Sequence, residues 1–598
     1  MTALNAHITS LTGANWHEEP SLVSDDAVMR LAQLFEQKHD MPFQLAQFIA
    51  KRGIDADIID HFIEPRLRDL LPDPSIFQDM DKACAIMAET IMSQKPIGIF
   101  GDYDVDGACS AAIFSRFLNA FHVAAHIHIP DRFKEGYGPN TQALRQLKAD
   151  GAELIITVDC GITAHEPLRD AAAEGMKVIV IDHHKAGTDL PEALAVVNPN
   201  RLDDESGQGA LCAAAMAFMT CVGTMRHLRQ KQHFEKPPID LLSLLDLVAM
   251  ATICDIVPLT ITNRAFVKQG LKIFKQRQNT GLRLLSDLSG VNRPPTAQTF
   301  GFVLGPRINA GGRIGNASLG AELLTTADEA TAVGIAAQLD ELNKQRKAIE
   351  ADVQNLAIEE AEQLLQTAPE TKVIIVAGQG WHEGVVGIVA GRLKDKYNRP
   401  AIVISLSEKG IGKGSARGIS GFKLGDSIMA AHQAGILLGG GGHDMAAGLS
   451  IDIAQLDAFR AFMNEKFNAT FTELPPATLA ISQTIPLSAC NKSFVDWIEK
   501  IAPFGAGFPE PKFMLTNCMI SQIRWLGEEG SHLSCQISDG TGAKMRAIAF
   551  RFKDKLRSKN ALTLQEGAYF HIVGRCVADD YRGGDAVQFQ IDDIAISS

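Results

Sequence analysis

Three apolar runs, each ending in acid, constrain this chain more than any other feature. PIGIF (Pro96–Phe100) runs into Gly101-Asp102-Tyr103-Asp104-Val105-Asp106-Gly107, ELIITV (Glu153–Val158) ends at Asp159, and KVIVI (Lys177–Ile181) ends at Asp182-His183-His184. A further apolar run, VAAHIHI (Val123–Ile129), and helix-like stretches such as GACSAAIFSRFLNAF lie between them. Continuous apolar runs alternating with helices predict a parallel sheet covered on both faces. Open sheets of that kind bind ligands beyond the carboxyl ends of their strands. The pattern therefore brings carboxylates and imidazoles to one edge. Asp255, in ATICDIVPL, adds another acid at the end of an apolar stretch.

So many carboxylates cannot crowd together without a compensating cation. Oxygen donors with one or two histidines suit Mg²⁺ or Mn²⁺. Two such ions, about 3.5–4 Å apart and bridged by a carboxylate, activate water and stabilise the leaving oxygen of a phosphodiester. Metal-assisted phosphoester hydrolysis is the chemistry these residues imply. A single Asp after a strand is commonly a turn or N-cap residue, and Asp102 reads as such a turn residue.

The 598 residues predict three or four domains. Residues 1 to about 95 read as mixed and mostly helical, broken at Pro65 and at Pro72 to Pro74. The DHH-containing α/β part extends to 324, and helices are expected from Leu211 to Leu259. Residues 325–367 lack proline and repeat Leu339, Leu342, Ile349, Val353, Leu356 and Leu364 at helical spacing, which predicts one long connecting helix. A smaller α/β domain over 368–470 holds the strands TKVIIVAG and RPAIVIS and a glycine-rich GGGGH (Gly439–His443). From 471 to 598 five strand-like segments suit an all-β barrel of the OB type.

The formal net charge of -13 excludes a generally basic coat but not local basic patches. The ten cysteines form no CxxC pair, and Cys212 and Cys221 sit in apolar stretches, so reduced buried thiols are expected. The N-terminus has no signal-peptide pattern, and Leu241–Leu259 contains Asp246 and Asp255. A cytoplasmic protein with no membrane span is the expectation.

DYDVDG (Asp102–Gly107), TVDCG around Asp159, DHH (Asp182–His184) and CDIVPL around Asp255 resemble, in order, the four signatures of the DHH phosphoesterase superfamily. Within it the chain resembles the RecJ nucleases. LPDPSIFQDMDKA (Leu71–Ala83) is similar to the segment preceding their first signature, and GPRINAGGRIG (Gly305–Gly315) to their basic loop. The second α/β unit resembles a DHHA1 domain, and PFGAGFPEPKF (Pro503–Phe513) the entry to the OB-fold. The resemblance implies a 5'→3' exonuclease specific for single-stranded DNA, releasing mononucleotides in repair, recombination and mismatch repair. It assigns Asp104, Asp106, Asp159, His183 and Asp255 as ligands of two Mn²⁺ or Mg²⁺ ions, with Asp159 bridging. His184 would polarise the scissile phosphate or handle a proton, and Asp182 would orient the histidines.

A polyanion also needs basic surroundings. Between Asn263 and Gly320 nine basic residues face one acid, Asp287. Lys268, Lys272 and Lys275 fall on one helical face, while Arg307 and Arg313 sit among small residues. Such a stripe suits contact with the phosphate backbone. GSARG (Gly414–Gly418) reads as a glycine-rich turn in which Ser415 and Arg417 cradle a phosphate. By resemblance these two and Arg132 bind the 5'-terminal phosphate, with GGGGH bringing His443 to the nucleotide. Tyr137, Phe133 and Trp381 are candidates for stacking on bases. Expected partners are single-stranded DNA, a single-strand-binding protein and a RecQ-type helicase, with the enzyme itself a monomer.

Two other readings share parts of the pattern. A DHH-type phosphodiesterase for short oligonucleotides or cyclic dinucleotides would need neither the β domain nor the N-terminal segment. A non-catalytic relative would lose metal ligands, and here all are present.

Overall fold

The computed structural model describes residues 8–527, 529–556, 564–579 and 581–597. The chain forms two compact units, one of residues 66–474 with 505–507, the other of residues 1–65, 475–504 and 508–598.

In the first unit a five-stranded parallel sheet contains β1 (Ile97–Gly101), β2 (Ala125–His128), β3 (Leu154–Val158), β4 (Val178–Ile181) and β5 (Ala195–Val197). Their order is β2-β1-β3-β4-β5, all parallel. From β1 the chain steps outward to β2, then returns to place β3 on the other side. The sheet thus reverses its winding between β1 and β3, and a crevice opens at the carboxyl ends of strands at such a point. β1, β3, β4 and β5 are buried along their length, as continuous Val and Ile runs require. β5 has no counterpart in the sequence reading.

Helix Val105–Ala120 leaves β1 directly. Asp104 caps it, with Oδ1 accepting from the N–H groups of Asp106 and Gly107 at 2.9 and 3.1 Å. A Cβ on Gly107 would lie 2.3 Å from the Asp102 carbonyl oxygen, so only glycine permits this tight exit. The stretch from Leu241 is a short 3₁₀ turn, Leu241–Leu244, followed by the buried helix Leu245–Cys254. GPRINAGGRIG, similar to a loop by resemblance, is instead helical over Gly305–Ile314, with Pro306 in its first turn where a missing N–H costs nothing.

The expected long helix spans Glu329–Thr367, capped by the Asp328 side chain. Beyond it lies a second sheet in the order Gly439–His443, Ala446–Asp452, Ile411–Arg417, Ala401–Leu406, Ile374–Gln379. Only the last two strands are parallel. GSARG is therefore mostly strand and not a turn, and GGGGH is one of the two edge strands.

In the second unit the five expected strands appear as Phe513–Leu526, His532–Ser538, Lys544–Ala549, Tyr569–Ala578 and Val587–Ile596. Pairing of the first with the fourth closes the barrel. The N-terminal strand Asn15–Glu18 pairs in parallel with Thr478–Ile481. Trp16 is buried with Ile481, Met514, Val573 and Ala595, and its Nε1 donates to Asp593 Oδ2 at 3.0 Å. The first 65 residues, grouped with the DHH part in the sequence reading, thus belong to the same compact unit as the barrel. Among the described residues no helix is long and apolar enough to cross a membrane, and all ten cysteines are free thiols.

Candidate active site

The carboxyl ends of β1, β3 and β4 converge, and the end of helix Leu245–Cys254 joins them. His183 Nε2 lies 3.3 Å from Asp159 Oδ1, 3.5 Å from Asp255 Oδ2 and 3.7 Å from Asp106 Oδ2. Three sets of donor atoms each fall within 4.8 Å of one another: Asp159, His183 and His184; Asp106, His183 and Asp255; Asp102, Asp104 and Asp159. Asp159 and His183 each belong to two sets, which is the arrangement two neighbouring cation sites with a shared carboxylate need. Asp159 is 2 % exposed and holds φ at +60°, a backbone region uncommon outside glycine.

These donors are built for a cation. Asp159 Oδ1, His183 Nε2 and Asp102 Oδ1 are buried and accept or donate no hydrogen bond, a costly state unless something else satisfies them. Burial, then repulsion from Asp106 and Asp104, pushes the Asp159 carboxyl far above its ordinary range. Burial with the same two neighbours raises Asp255 to about 8. Asp102 is pushed well up by burial and by Asp104. Only a cation among them lets such a crowd stay ionised at neutral pH. The oxygen-rich set with one or two imidazoles fits Mn²⁺ or Mg²⁺.

Around the donors is a hydrogen-bonded frame. Both Asp106 oxygens accept, at 2.7 Å each, from the N–H groups of Ala213 and Ala214 at the start of helix Ala213–Gln230, where the helix dipole favours an anion. Asp182 Oδ1 accepts from His183 N at 2.7 Å, His184 N at 3.1 Å and His184 Nδ1 at 2.8 Å, and its Oδ2 from Ile162 N at 3.0 Å. Burial opposes its charge, yet these bonds hold Asp182 below the usual carboxylate value. Burial also opposes the His184 imidazolium, but the Asp182 bond overcomes it and raises His184 to about 9. Asn200 and Asn198 donate to the carbonyls of His183 and His184 at 2.5 and 2.9 Å. Neither asparagine carries a signal in the sequence, because each acts through the backbone of residues far from it in the chain. Asp102, set aside as a turn residue, offers an unsatisfied oxygen to the same centre.

Beside this centre lies positive charge, which acts on its acids without ion pairs: Arg132 on Asp102, and Arg313 on Asp104. Among the described residues no acid pairs with Arg132, Arg313 or Arg417. Burial lowers Arg313 to about 10, with Arg132, Arg346 and Arg417 adding to the effect. Arg417 is lowered by burial and then by Arg132. The Arg132 guanidinium stands 5.4 Å from the Tyr103 ring centre. Arg417 NH1 donates to Ser415 Oγ at 3.1 Å, and both face Gly387, where a Cβ would meet them at 3.1 and 2.9 Å. In register, Ala446 pairs with Arg417 on one side and His443 on the other, so those two share one end of the second sheet. Tyr137 reaches over the first centre, its hydroxyl 3.3 Å from the Asp159 carbonyl and 3.4 Å from the His184 ring nitrogens.

Other residues expected at the DNA have partners within the protein. Arg307 donates to Asp340 at 2.9 Å and to the Val303 carbonyl at 2.7 Å, so it braces two helices. Trp381 is 6 % exposed and packs in the core of the second α/β layer, where it offers no face to a base. Phe133 is exposed, with its ring perpendicular to that of His382 at 5.7 Å. Arg264 is 1 % exposed, Arg277 pairs with Asp287, and Arg283 with Glu329. The basic stripe is therefore thinner than its sequence suggests, leaving Lys272 and Lys275 exposed on their helix.

A reversed parallel sheet carrying this donor set at its switch point, followed by a second α/β domain, defines a DHH-type metal-dependent hydrolase. The DHH family N-terminal domain matches residues 96–252, the DHHA1 domain residues 370–469 and the RecJ OB domain residues 481–593. The chain is 34% identical over 576 residues to the single-stranded-DNA-specific exonuclease RecJ of Bacillus subtilis (strain 168), covering 95% of this chain and 70% of that one. It is 34% identical over 574 residues to the protein of the same name from Salmonella typhimurium, covering 93% and 96%. RecJ of Thermus thermophilus with Mn²⁺ superposes with a TM-score of 0.79 at 29% identity, over 98% of this chain and 80% of that chain. Its Mg²⁺ complex gives 0.73 at 27%, over 98% and 78%. The chain belongs to the RecJ family.

Proposed function

We propose that this chain degrades single-stranded DNA from the 5' end, hydrolysing phosphodiester bonds and releasing 5'-mononucleotides. The observation that carries the reading is the pairing, in one compact unit, of the Asp159–His183 centre with the unpaired arginines Arg132, Arg313 and Arg417. Asp104, Asp106, Asp159, His183 and Asp255 would hold two divalent ions, with Asp159 between them. Mn²⁺ or Mg²⁺ bound there supplies an activated water and a counter-charge for the leaving oxygen. His184, held by Asp182 through Nδ1, faces the scissile phosphate with Nε2, which the Tyr137 hydroxyl approaches at 3.4 Å, and steadies the charge that develops there. Arg132, Ser415 and Arg417 take the 5'-terminal phosphate, Arg313 and His443 the adjoining backbone. Tyr137 lies against the terminal nucleotide.

A terminal-phosphate anchor a fixed distance from the hydrolytic centre explains both polarity and mononucleotide release. The OB barrel would guide the incoming strand. Roles in repair, recombination and mismatch repair, a cytoplasmic location, monomeric action, and cooperation with a single-strand-binding protein and a RecQ-type helicase go with this reading. So does the division of labour among a catalytic part to 324, the connecting helix 325–367, the DHHA1 part 368–470 and the OB part 471–598.

Arg417→Ala is expected to lower kcat/KM on 5'-phosphorylated single strands about 30-fold, the equivalent of a charge-assisted bond worth about 2 kcal/mol. On 5'-hydroxyl strands the loss should be a few-fold. Steady-state rates on matched oligonucleotides test this, and equal losses on both ends would remove Arg417 from the phosphate anchor. Adding a dinucleotide to the series separates this function from a small-substrate phosphodiesterase, which would prefer it to the long strand.

A further inference from the structure

The loop between β2 and the helix Thr141–Ala149 carries both Arg132 and Tyr137, yet its own sequence makes it pliable. Gly136 and Gly138 flank Tyr137 with φ of +87° and +79°, and neither has a neighbour within 4 Å of where a Cβ would stand. Left to itself, such a segment samples many conformations. One side chain in the loop, Glu135, reaches both of its ends. Glu135 Oε1 accepts from the Asp131 N–H at 2.8 Å, at the start of the loop. Its Oε2 lies 2.9 Å from His128 Nε2, at the end of β2, and accepts from Asn140 Nδ2 at 3.2 Å. Asn140 in turn caps the following helix through the Ala143 N–H at 2.9 Å. His128 is itself held by stacking on Phe100 at 5.3 Å. The three residues form part of the wall of a polar cavity of about 260 Å³.

We propose that Glu135 is a positioning residue, stapling strand end, loop and helix cap together so that Arg132 and Tyr137 are presented preorganised to the 5' end of the strand. It touches neither the hydrolytic centre nor the substrate and acts through those two side chains. The inference rests on the reading of Arg132 as a phosphate anchor given above. Preorganisation of this kind shows as affinity, because a loop already in its bound shape loses less freedom on binding.

The test is a double-mutant cycle in the full-length protein with Mn²⁺, on single strands bearing 5'-phosphate or 5'-hydroxyl. Glu135→Ala is expected to raise KM for the phosphorylated strand about tenfold, with kcat changed less than threefold. Glu135→Gln, which keeps an acceptor for the Asp131 N–H, should recover part of that loss. In an Arg132→Ala, Tyr137→Ala background, Glu135→Ala should have little further effect, because the side chains it positions are gone. Thermal unfolding with and without Mn²⁺ shows whether each variant is folded. If Arg132→Ala weakens the phosphate preference while Glu135→Ala leaves KM unchanged, the staple is overturned and the phosphate reading stands. If Glu135→Ala costs the same factor in both backgrounds, it acts on general stability and the proposal fails. If Arg132→Ala itself is silent, the phosphate reading falls and the staple with it.

Discussion

Asp159→Asn is expected to lower strand cleavage at least about 10³-fold while leaving a folded protein. Asp159 is the carboxylate common to two of the three donor sets, and its Oδ1 is buried without a hydrogen-bond partner. Charge stabilisation by bound metal is worth several kcal/mol, and about 4 kcal/mol is close to a thousandfold in rate. The same substitution should raise the unfolding temperature in EDTA, since without a cation the buried Asp159 carboxyl, raised far above its ordinary range, must take up a proton on folding, a cost that an amide does not carry. Mn²⁺ should stabilise the parent strongly and the variant little, as binding to the folded state alone requires. Cleavage within tenfold of the parent, or an undiminished Mn²⁺ shift, would contradict a shared carboxylate at this position.

Asp182→Ala should damage both activity and stability. Its carboxylate takes four hydrogen bonds, three from backbone N–H groups and one from the His184 ring. Removing it leaves buried backbone donors unsatisfied, a loss of about 1–3 kcal/mol, and takes the counter-charge from the half-exposed His184 imidazolium. With the His183-His184 turn no longer fixed, cleavage should fall about 10–100-fold even at saturating Mn²⁺, the usual cost of losing the group that orients a metal-binding histidine. Asp182→Asn keeps an acceptor and should be milder on both counts. Urea unfolding and kcat at saturating metal test the pair. An Asp182→Ala protein with parental kcat would show that His184 needs no orientation by this residue.

The hydrolytic centre is legible in the sequence because one physical rule places it. Parallel strands put their carboxyl ends on one edge, so Asp104, Asp106, Asp159 and the Asp182-His183-His184 run have to meet whatever the details of the loops. Asp255 follows from the end of a helix too apolar to lie anywhere but the core. The basic surroundings are legible only in part, since a local count of charge is blind to acids that arrive from elsewhere. Asp340, on the long helix, takes Arg307, and Glu329 takes Arg283. Trp381 looks available in the sequence because an aromatic residue between glycines gives no sign of the layer that covers it, whereas Gly378 lacks a Cβ because the indole occupies that space.

GSARG reads as a turn on glycine content, and GPRINAGGRIG as a loop by resemblance. Pairing with Ala401–Leu406 and Ala446–Asp452 makes a strand of the first, and packing makes a helix of the second. The union of the first 65 residues with the barrel depends on Asn15–Glu18 finding Thr478–Ile481, a pairing between segments at opposite ends of the chain that no local pattern encodes. Glu135 carries no sequence signal for a related reason. Its importance lies in joining a strand, a loop and a cap that only the folded chain brings together.

The most direct test of the central claim is digestion of a long single strand labelled at either end, with Mn²⁺ or Mg²⁺, beside a blunt duplex and an EDTA control. Stepwise loss of mononucleotides from the 5' end, with the duplex spared and EDTA abolishing the reaction, is the expected result. Degradation from the 3' end, or cleavage that persists in EDTA, would contradict it.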